Sequence, residues 1–141
     1  MHQTSQQACA CTLLRKASRA VTRYYDDRLA AHGLTITQFA LLRNIARAGE
    51  IQLNHLANHL VMDRTSLYRT IAPVAQAGWV EIDPVDGRTK VARLTPAGRT
   101  LMTQADADWE FAQTNLLNGI DEQEWQALER TLGRLIEIAQ A

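Results

Sequence analysis

The sequence predicts a mainly α-helical fold with one small β-hairpin. Three observations carry this. Apolar residues recur at helical spacing along most of the chain, as in Leu13, Leu14, Ala17, Val21 and Leu29. Between Gln52 and Gly98 the pattern shortens to a helix, a tight turn and a second helix, followed by two alternating segments. Those segments, Val80-Glu81-Ile82-Asp83 and Val91-Ala92-Arg93-Leu94, flank a charged turn containing Asp86-Gly87, a hairpin signal. Two helices and a tight turn followed by a hairpin make a winged helix-turn-helix, here flanked by N- and C-terminal helices.

The first helix is expected from about Ala10 to Ala31, with Gly33 where a left-handed C-cap belongs. The second starts at Thr35-Ile36-Thr37-Gln38, which has capping-box spacing. Phe39, Leu42, Ile45 and Ala46 form its apolar face, and Gly49 ends it. A short third helix covers about Asn54 to Leu60, with Leu53, Leu56 and Leu60 inward. Asp63 is positioned to cap the fourth, whose buried stripe is Leu67, Ile71, Val74 and Ala75. Pro73 inside this helix frees the Arg69 carbonyl and predicts a kink. After the hairpin, Thr95-Pro96 opens a long fifth helix, with proline at its favoured first position. Asn118-Gly119 ends that helix, and Asp121 caps a sixth with the stripe Trp125, Leu128, Leu132, Leu135, Ile136 and Ala139. The expected organisation is an N-terminal helical segment 1–34, a winged helix-turn-helix unit 35–98 and C-terminal helices 99–141.

Composition narrows the function. With 46% apolar residues, 7 Gly and 3 Pro the chain has the make-up of a folded domain rather than a disordered one. No apolar run approaches the ~18 residues of a membrane span. Residues 1–7 are polar and lack the apolar stretch of a signal peptide, so the expectation is a cytoplasmic protein with no membrane partner. The formal net charge is zero, but its distribution is not even. Residues 1–100 hold 13 Lys/Arg against 7 Asp/Glu, and residues 101–141 hold 2 against 8. A basic half suits nucleic acid, although an acidic solvated helix pair gives the same asymmetry. There is no nucleophile elbow, no phosphate-cradling glycine loop and no paired His/Asp constellation, so no enzyme is expected and no cofactor.

Arg64, Thr65, Ser66, Tyr68 and Arg69 stand at the start of the fourth helix, where donors and acceptors suit base edges in the major groove. Arg88 and Lys90 near the hairpin tip suit phosphate or the minor groove. Lys90 and Arg93 are equally well read as plain strand-edge charges. One such module reads few base pairs. Two modules about 34–36 Å apart read a palindrome, so a homodimer on a double-stranded operator is expected. The rival reading is a winged helix used only for dimerisation or protein interaction, without DNA binding.

Several segments, in this order and spacing, resemble the MarR family of bacterial transcriptional regulators. They are Gly33-Leu34-Thr35-Ile36-Thr37-Gln38-Phe39, Leu56-Ala57-Asn58-His59-Leu60 and Met62-Asp63-Arg64-Thr65-Ser66-Leu67. Asp86-Gly87-Arg88 and Leu94-Thr95-Pro96-Ala97-Gly98 complete the set. The resemblance implies a homodimer built on the outer helices, usually a repressor released from DNA by an effector or by cysteine oxidation. It also implies that Asp86 orients Arg88, that Gln52 and Asn54 touch phosphate, and that an effector site lies near Trp109.

Cys9 and Cys11 admit two readings: small packing residues at a dimer interface, or a redox sensor. The register of Cys11 with Ala17-Ser18-Arg19-Ala20-Val21-Thr22 resembles the organic-hydroperoxide-sensing branch of the same family, and Tyr25 falls where that branch has a sensing tyrosine. Arg15 stands where the branch has another tyrosine, and its charge one turn from Cys11 favours a thiolate. If both cysteines are helical, they point apart and cannot bond within one helix. A hydroperoxide or a small aromatic molecule is the expected effector. His55 and His59 share a helix face but have no acidic or thiol partner nearby, so no metal is expected. Trp79, Trp109 and Trp125 are expected in the core.

Overall fold

A computed structural model describes residues 8–141; the polar segment 1–7, read above for its lack of a signal peptide, lies outside it. The elements are α1 (Ala10–Leu29), a 3-10 turn (Ala30–His32), α2 (Ile36–Ala48), β1 (Ile51–Gln52), α3 (Leu53–His59) and α4 (Arg64–Gln76). They continue with β2 (Val80–Pro84), β3 (Lys90–Leu94), α5 (Pro96–Leu117) and α6 (Glu122–Gln140).

Local chemistry explains the boundaries. Gly33 closes the turn after α1 at φ 71°, its N–H donating to Ala30. The capping box at α2 forms as expected: the Thr35 hydroxyl accepts from the Gln38 N–H, and the Gln38 side chain accepts from the Thr35 N–H. The Asp26 carboxylate accepts from the Ile36 N–H at 2.7 Å, fastening the start of α2 to α1. Asp63 caps α4 through the Ser66 N–H at 2.7 Å. Pro73 lies within α4, which continues past it to Gln76. Thr95 caps α5, accepting from the Gly98 N–H while its own hydroxyl donates to the Gly78 carbonyl at 2.6 Å.

The turn between α3 and α4 carries no glycine, yet it closes as a Schellman motif. Val61 N–H donates to Asn58 and Met62 N–H to Ala57, and Val61 takes φ 54°. A β-branched residue is costly in this left-handed region.

Three strands pair, not two. β3 is central, with β2 on one side (Val80 opposite Leu94) and β1 on the other (Ile51 opposite Ala92). Gln52 stands at the start of α3 as expected, as its N-cap, and also pairs in β1 opposite Val91. The wing turn also differs from a glycine-driven hairpin. Gly87 is not at positive φ; instead the Asp86 carboxylate accepts from the Arg88 and Thr89 N–H groups, both at 2.9 Å.

Phe39, Leu41, Leu42 and Ile45 of α2 meet Leu56 of α3 and Leu67, Ile71 and Val74 of α4 in the core, with Ala92 and Leu94 of β3. Leu29 of α1 and Met102 and Ala105 of α5 join them. Trp79 and Trp109 pack on its edge. Trp125 is only half-buried on α6 and does not join it. His32 Nε2 and Asp108 Oδ2 lie at hydrogen-bonding distance, 2.6 Å, and link the 3-10 turn to α5.

The outer helices are different. Every residue of α1 from Ala10 to Val21 is exposed, including Leu13, Leu14 and Val21. α6 buries none of its residues, and Leu128, Leu135 and Ile136 of its apolar stripe are solvent-exposed.

Candidate nucleic-acid interface

The helix-turn-helix and the wing enclose a cleft of about 470 Å³. Its floor is apolar, from Leu53, Ala57, Met62 and Leu67, which tie it to the core. Its rim is polar and cationic. Asn54, Arg64, Tyr68, Arg88 and Lys90, all singled out in the sequence, converge here. Asn58, Asp63 and Thr89 also line it, and no local signal in the sequence placed them there. Gln52, Thr65, Ser66, Arg69 and Asp86 do not line the cleft. Thr65 and Arg69 are exposed on α4, while Ser66 is half-buried and its carbonyl accepts from the Thr70 hydroxyl.

Tyr68 sits at the junction of the two walls. The Arg64 guanidinium lies 5.6 Å from its ring centre and the Lys90 ammonium 5.9 Å. Both are within the range where the negative ring face attracts a cation. Arg93, by contrast, is committed elsewhere. It forms ion pairs with Asp83, with Glu81 at 3.3 Å and with Glu50 at 3.3 Å, which clasps β2, β3 and the turn before β1. Of the two strand-edge charges weighed in the sequence, Lys90 faces the cleft and Arg93 is neutralised.

Two carboxylates shape the site. The Ser66 backbone N–H holds the Asp63 carboxyl below its ordinary value of 3.8. The Arg88 and Thr89 N–H groups do the same for Asp86. Asp86 thus stays ionised and fixes the loop that presents Arg88, while remaining outside the cleft itself.

The residues of the redox reading lie on α1. Cys9 and Cys11 are both free and exposed. Cys9 is not helical but is the N-cap of α1, with extended backbone, so the two thiols are not held apart by a shared helix. Its sulfur closes no capping hydrogen bond, yet the Thr12 backbone N–H lowers its thiol pKa from the ordinary 9.0. Tyr25 is buried, its hydroxyl donating to Gln113, and burial pushes its phenol pKa up. Cys11 and Tyr25 are about 21 Å apart along one helix, at 1.5 Å per residue. They are not brought together within a single chain.

His55 and His59 are exposed, and among the described residues no group of three or more metal-ligating side chains gathers. Among the described residues no helix is long and apolar enough to cross a membrane. Trp109 stacks on Phe39 with ring centres 5.8 Å apart, and Arg43 lies over its ring at 3.9 Å.

Comparison with known proteins agrees with this geometry. A model described as the MarR family matches residues 32–89. The HTH-type transcriptional regulator PecS of Dickeya dadantii (strain 3937) is 24% identical over 127 residues, covering 86% of this chain and 76% of PecS. Among solved structures, the M. tuberculosis transcriptional regulator MosR in complex with DNA superposes with TM-score 0.84 at 29% identity, covering 95% of this chain and all of that one. A cysteine-to-serine mutant of MarR from E. coli complexed with operator DNA shares the fold, with TM-score 0.79 at 24% identity over 88% of this chain and 91% of that one.

Proposed function

The chain belongs to the MarR family of transcriptional regulators, and from that premise we propose that it is a homodimeric repressor of a palindromic operator. Its function is regulation of transcription, not catalysis. The observation that carries the proposal is the cleft between α4 and the wing, where Asn54, Arg64, Arg88 and Lys90 converge from three elements on one surface. Phosphates fill such a cleft with the release of counterions, and base edges are read beside it. In this reading Thr65, Ser66 and Arg69 extend the contact along α4, and Gln52 touches phosphate beside it. Residues 35–98 form the DNA-binding unit. The segments 1–34 and 99–141 pair the two copies, because the exposed stripes of α1 and α6 have no partner among the described residues. A module serving only protein interaction has no use for cations gathered at the wing.

Release from DNA is a shift of population between two spacings of the recognition helices. A small aromatic effector near Trp109 is one trigger. Oxidation at Cys11 or Cys9 is the other, supported by the exposure of both thiols and the lowered Cys9 pKa. Contact between Cys11 and Tyr25 then requires the second subunit.

The test is binding of the purified protein to the DNA upstream of its own coding sequence, with and without cumene hydroperoxide. Tight binding that falls steeply with salt establishes the regulator-operator contact. Loss on oxidation and recovery with thiol establishes the redox trigger. Tight binding indifferent to oxidant leaves the small-molecule trigger. Absence of binding at low salt rejects the operator reading in favour of the interaction module.

A further inference from the structure

We propose that Tyr68 is a positioning residue whose ring gathers Arg64 from α4 and Lys90 from β3, and so ties the wing to the recognition helix. The inference rests on the cleft being the DNA-facing surface, but the arrangement exists without DNA. Both cations lie within 6 Å of one ring centre, at 5.6 and 5.9 Å. The ring cannot simply follow them, because Tyr68 is half-buried and packs against the hydrophobic core. Neither cation has another charge partner: among the described residues, Arg64 and Lys90 form no ion pair. Two like charges drawn into one cleft repel, with Arg88 adding a third on the same rim. The negative face of the aromatic ring offsets that repulsion and sets where both charges stand before a phosphate arrives.

This assigns Tyr68 a role different from reading a base. A tyrosine that reads a base acts through its hydroxyl. A tyrosine that gathers cations acts through its ring. Tyr68→Phe keeps the ring and removes the hydroxyl; Tyr68→Leu removes both, with Tyr68→Met as a second ring-free variant of similar bulk should Tyr68→Leu not fold.

The first measurement uses the full chain without DNA. In wild type and Tyr68→Phe, the side-chain methylene protons of Arg64 and Lys90 are expected upfield, shifted by the ring current, and in the ring-free variants they return to ordinary positions. The second is affinity for a short duplex from the protein's own upstream DNA across a salt series. Tyr68→Phe is expected within about twofold of wild type with the same salt slope. The ring-free variant is expected to bind about tenfold more weakly, with a slope shallower by about one to two, as two phosphate-facing cations lose their placement together. Ordinary methylene shifts in the wild type overturn the proposal. So does a loss in Tyr68→Phe as large as in the ring-free variant with the slope unchanged, which is the signature of a hydroxyl contact. If the wild type binds no DNA, the operator reading falls, and the ring-current shifts still decide whether the tether exists.

Discussion

Gly98 lies directly against the backbone of Trp79: a methyl group on its α-carbon would overlap the Trp79 carbonyl oxygen and crowd its carbon at 3.0 Å. The same carbonyl accepts from the Thr95 N–H at 3.0 Å, so it cannot swing away. Gly98→Ala is therefore expected to destabilise the fold by about 1–3 kcal/mol, the usual penalty of overpacking. Thermal unfolding followed by circular dichroism checks this, and an unchanged midpoint contradicts the close packing of α5 on Trp79.

Val61 offers the opposite change. Its left-handed backbone costs a residue with a Cβ roughly 1–2 kcal/mol, and glycine gives back part of that in chain entropy. Val61→Gly is expected to stabilise by up to about 1 kcal/mol, raising the unfolding midpoint by about 2–4 °C. A lower midpoint would show that the half-exposed Val61 side chain contributes more than its backbone strain costs.

Arg64 and Arg69 are expected to differ in kind from Gln52. Arg64→Ala or Arg69→Ala weakens operator binding by about 1–3 kcal/mol where the side chain reads a base, with relaxed preference at one position. Gln52→Ala, outside the cleft lining, is expected to change affinity uniformly and by less. Competition assays on operators with single base changes separate these outcomes, and an unaltered affinity for Arg64→Ala removes that residue from the interface.

Asp86 makes the wing loop sensitive to acid. Its folded pKa is depressed by the Arg88 and Thr89 N–H groups, so its contribution to loop order is full above the ordinary value of 3.8 and is lost as the pH falls below it. Amide exchange at Arg88 and Thr89 is expected to lose protection only in that acid window. In Asp86→Ala the protection is absent at neutral pH as well. Equal protection in the variant assigns the loop's order to the Val85–Thr89 backbone bond instead.

The thiols give a further test. Cys11→Ser is expected to abolish any release of DNA by hydroperoxide, read in the same binding assay. Because Cys9 is the thiol with a lowered pKa, its alkylation by iodoacetamide near neutral pH is expected to run faster in the folded protein than in denaturant. Persistent peroxide release in Cys11→Ser transfers the sensing role to Cys9 or rejects it.

Much of the fold was legible because its punctuation is local. Thr35 with Gln38, Asp63, and Thr95 before Pro96 each mark a helix start through groups within a few residues. β1 was not legible: a two-residue strand has no alternation to read, and Ile51 and Gln52 are strand only because β3 lies beside them. Nor was the left-handed turn at Val61, where no glycine announces it. In the site, Arg64, Arg88 and Lys90 could be named from helix face and hairpin tip. Asn58 and Thr89 could not, since only the packing of α3 against the wing turns them to one cleft. Arg93 and Lys90 are alike in the sequence, and only the fold brings Glu50, 43 residues away, to Arg93. The apolar stripe of α1 was evident, but periodicity does not distinguish Tyr25 and Leu29, buried within the chain, from Leu13 and Leu14, which are not.

The fastening of α1 has a mechanical consequence. Its side-chain hydrogen bonds to other elements start at Tyr24, whose hydroxyl donates to the Ala112 carbonyl, and include Asp26, which accepts from Ile36. The held part, Tyr24 to Leu29, is about 9 Å long, and the part beyond it, Ala10 to Arg23, is about 21 Å. A rod gripped over the shorter length is a lever with a ratio of roughly two. Any tilt at the grip is magnified at the cysteine-bearing tip, and a load applied at that tip reaches Ile36 through Asp26. The lever's output end is the first residue of α2.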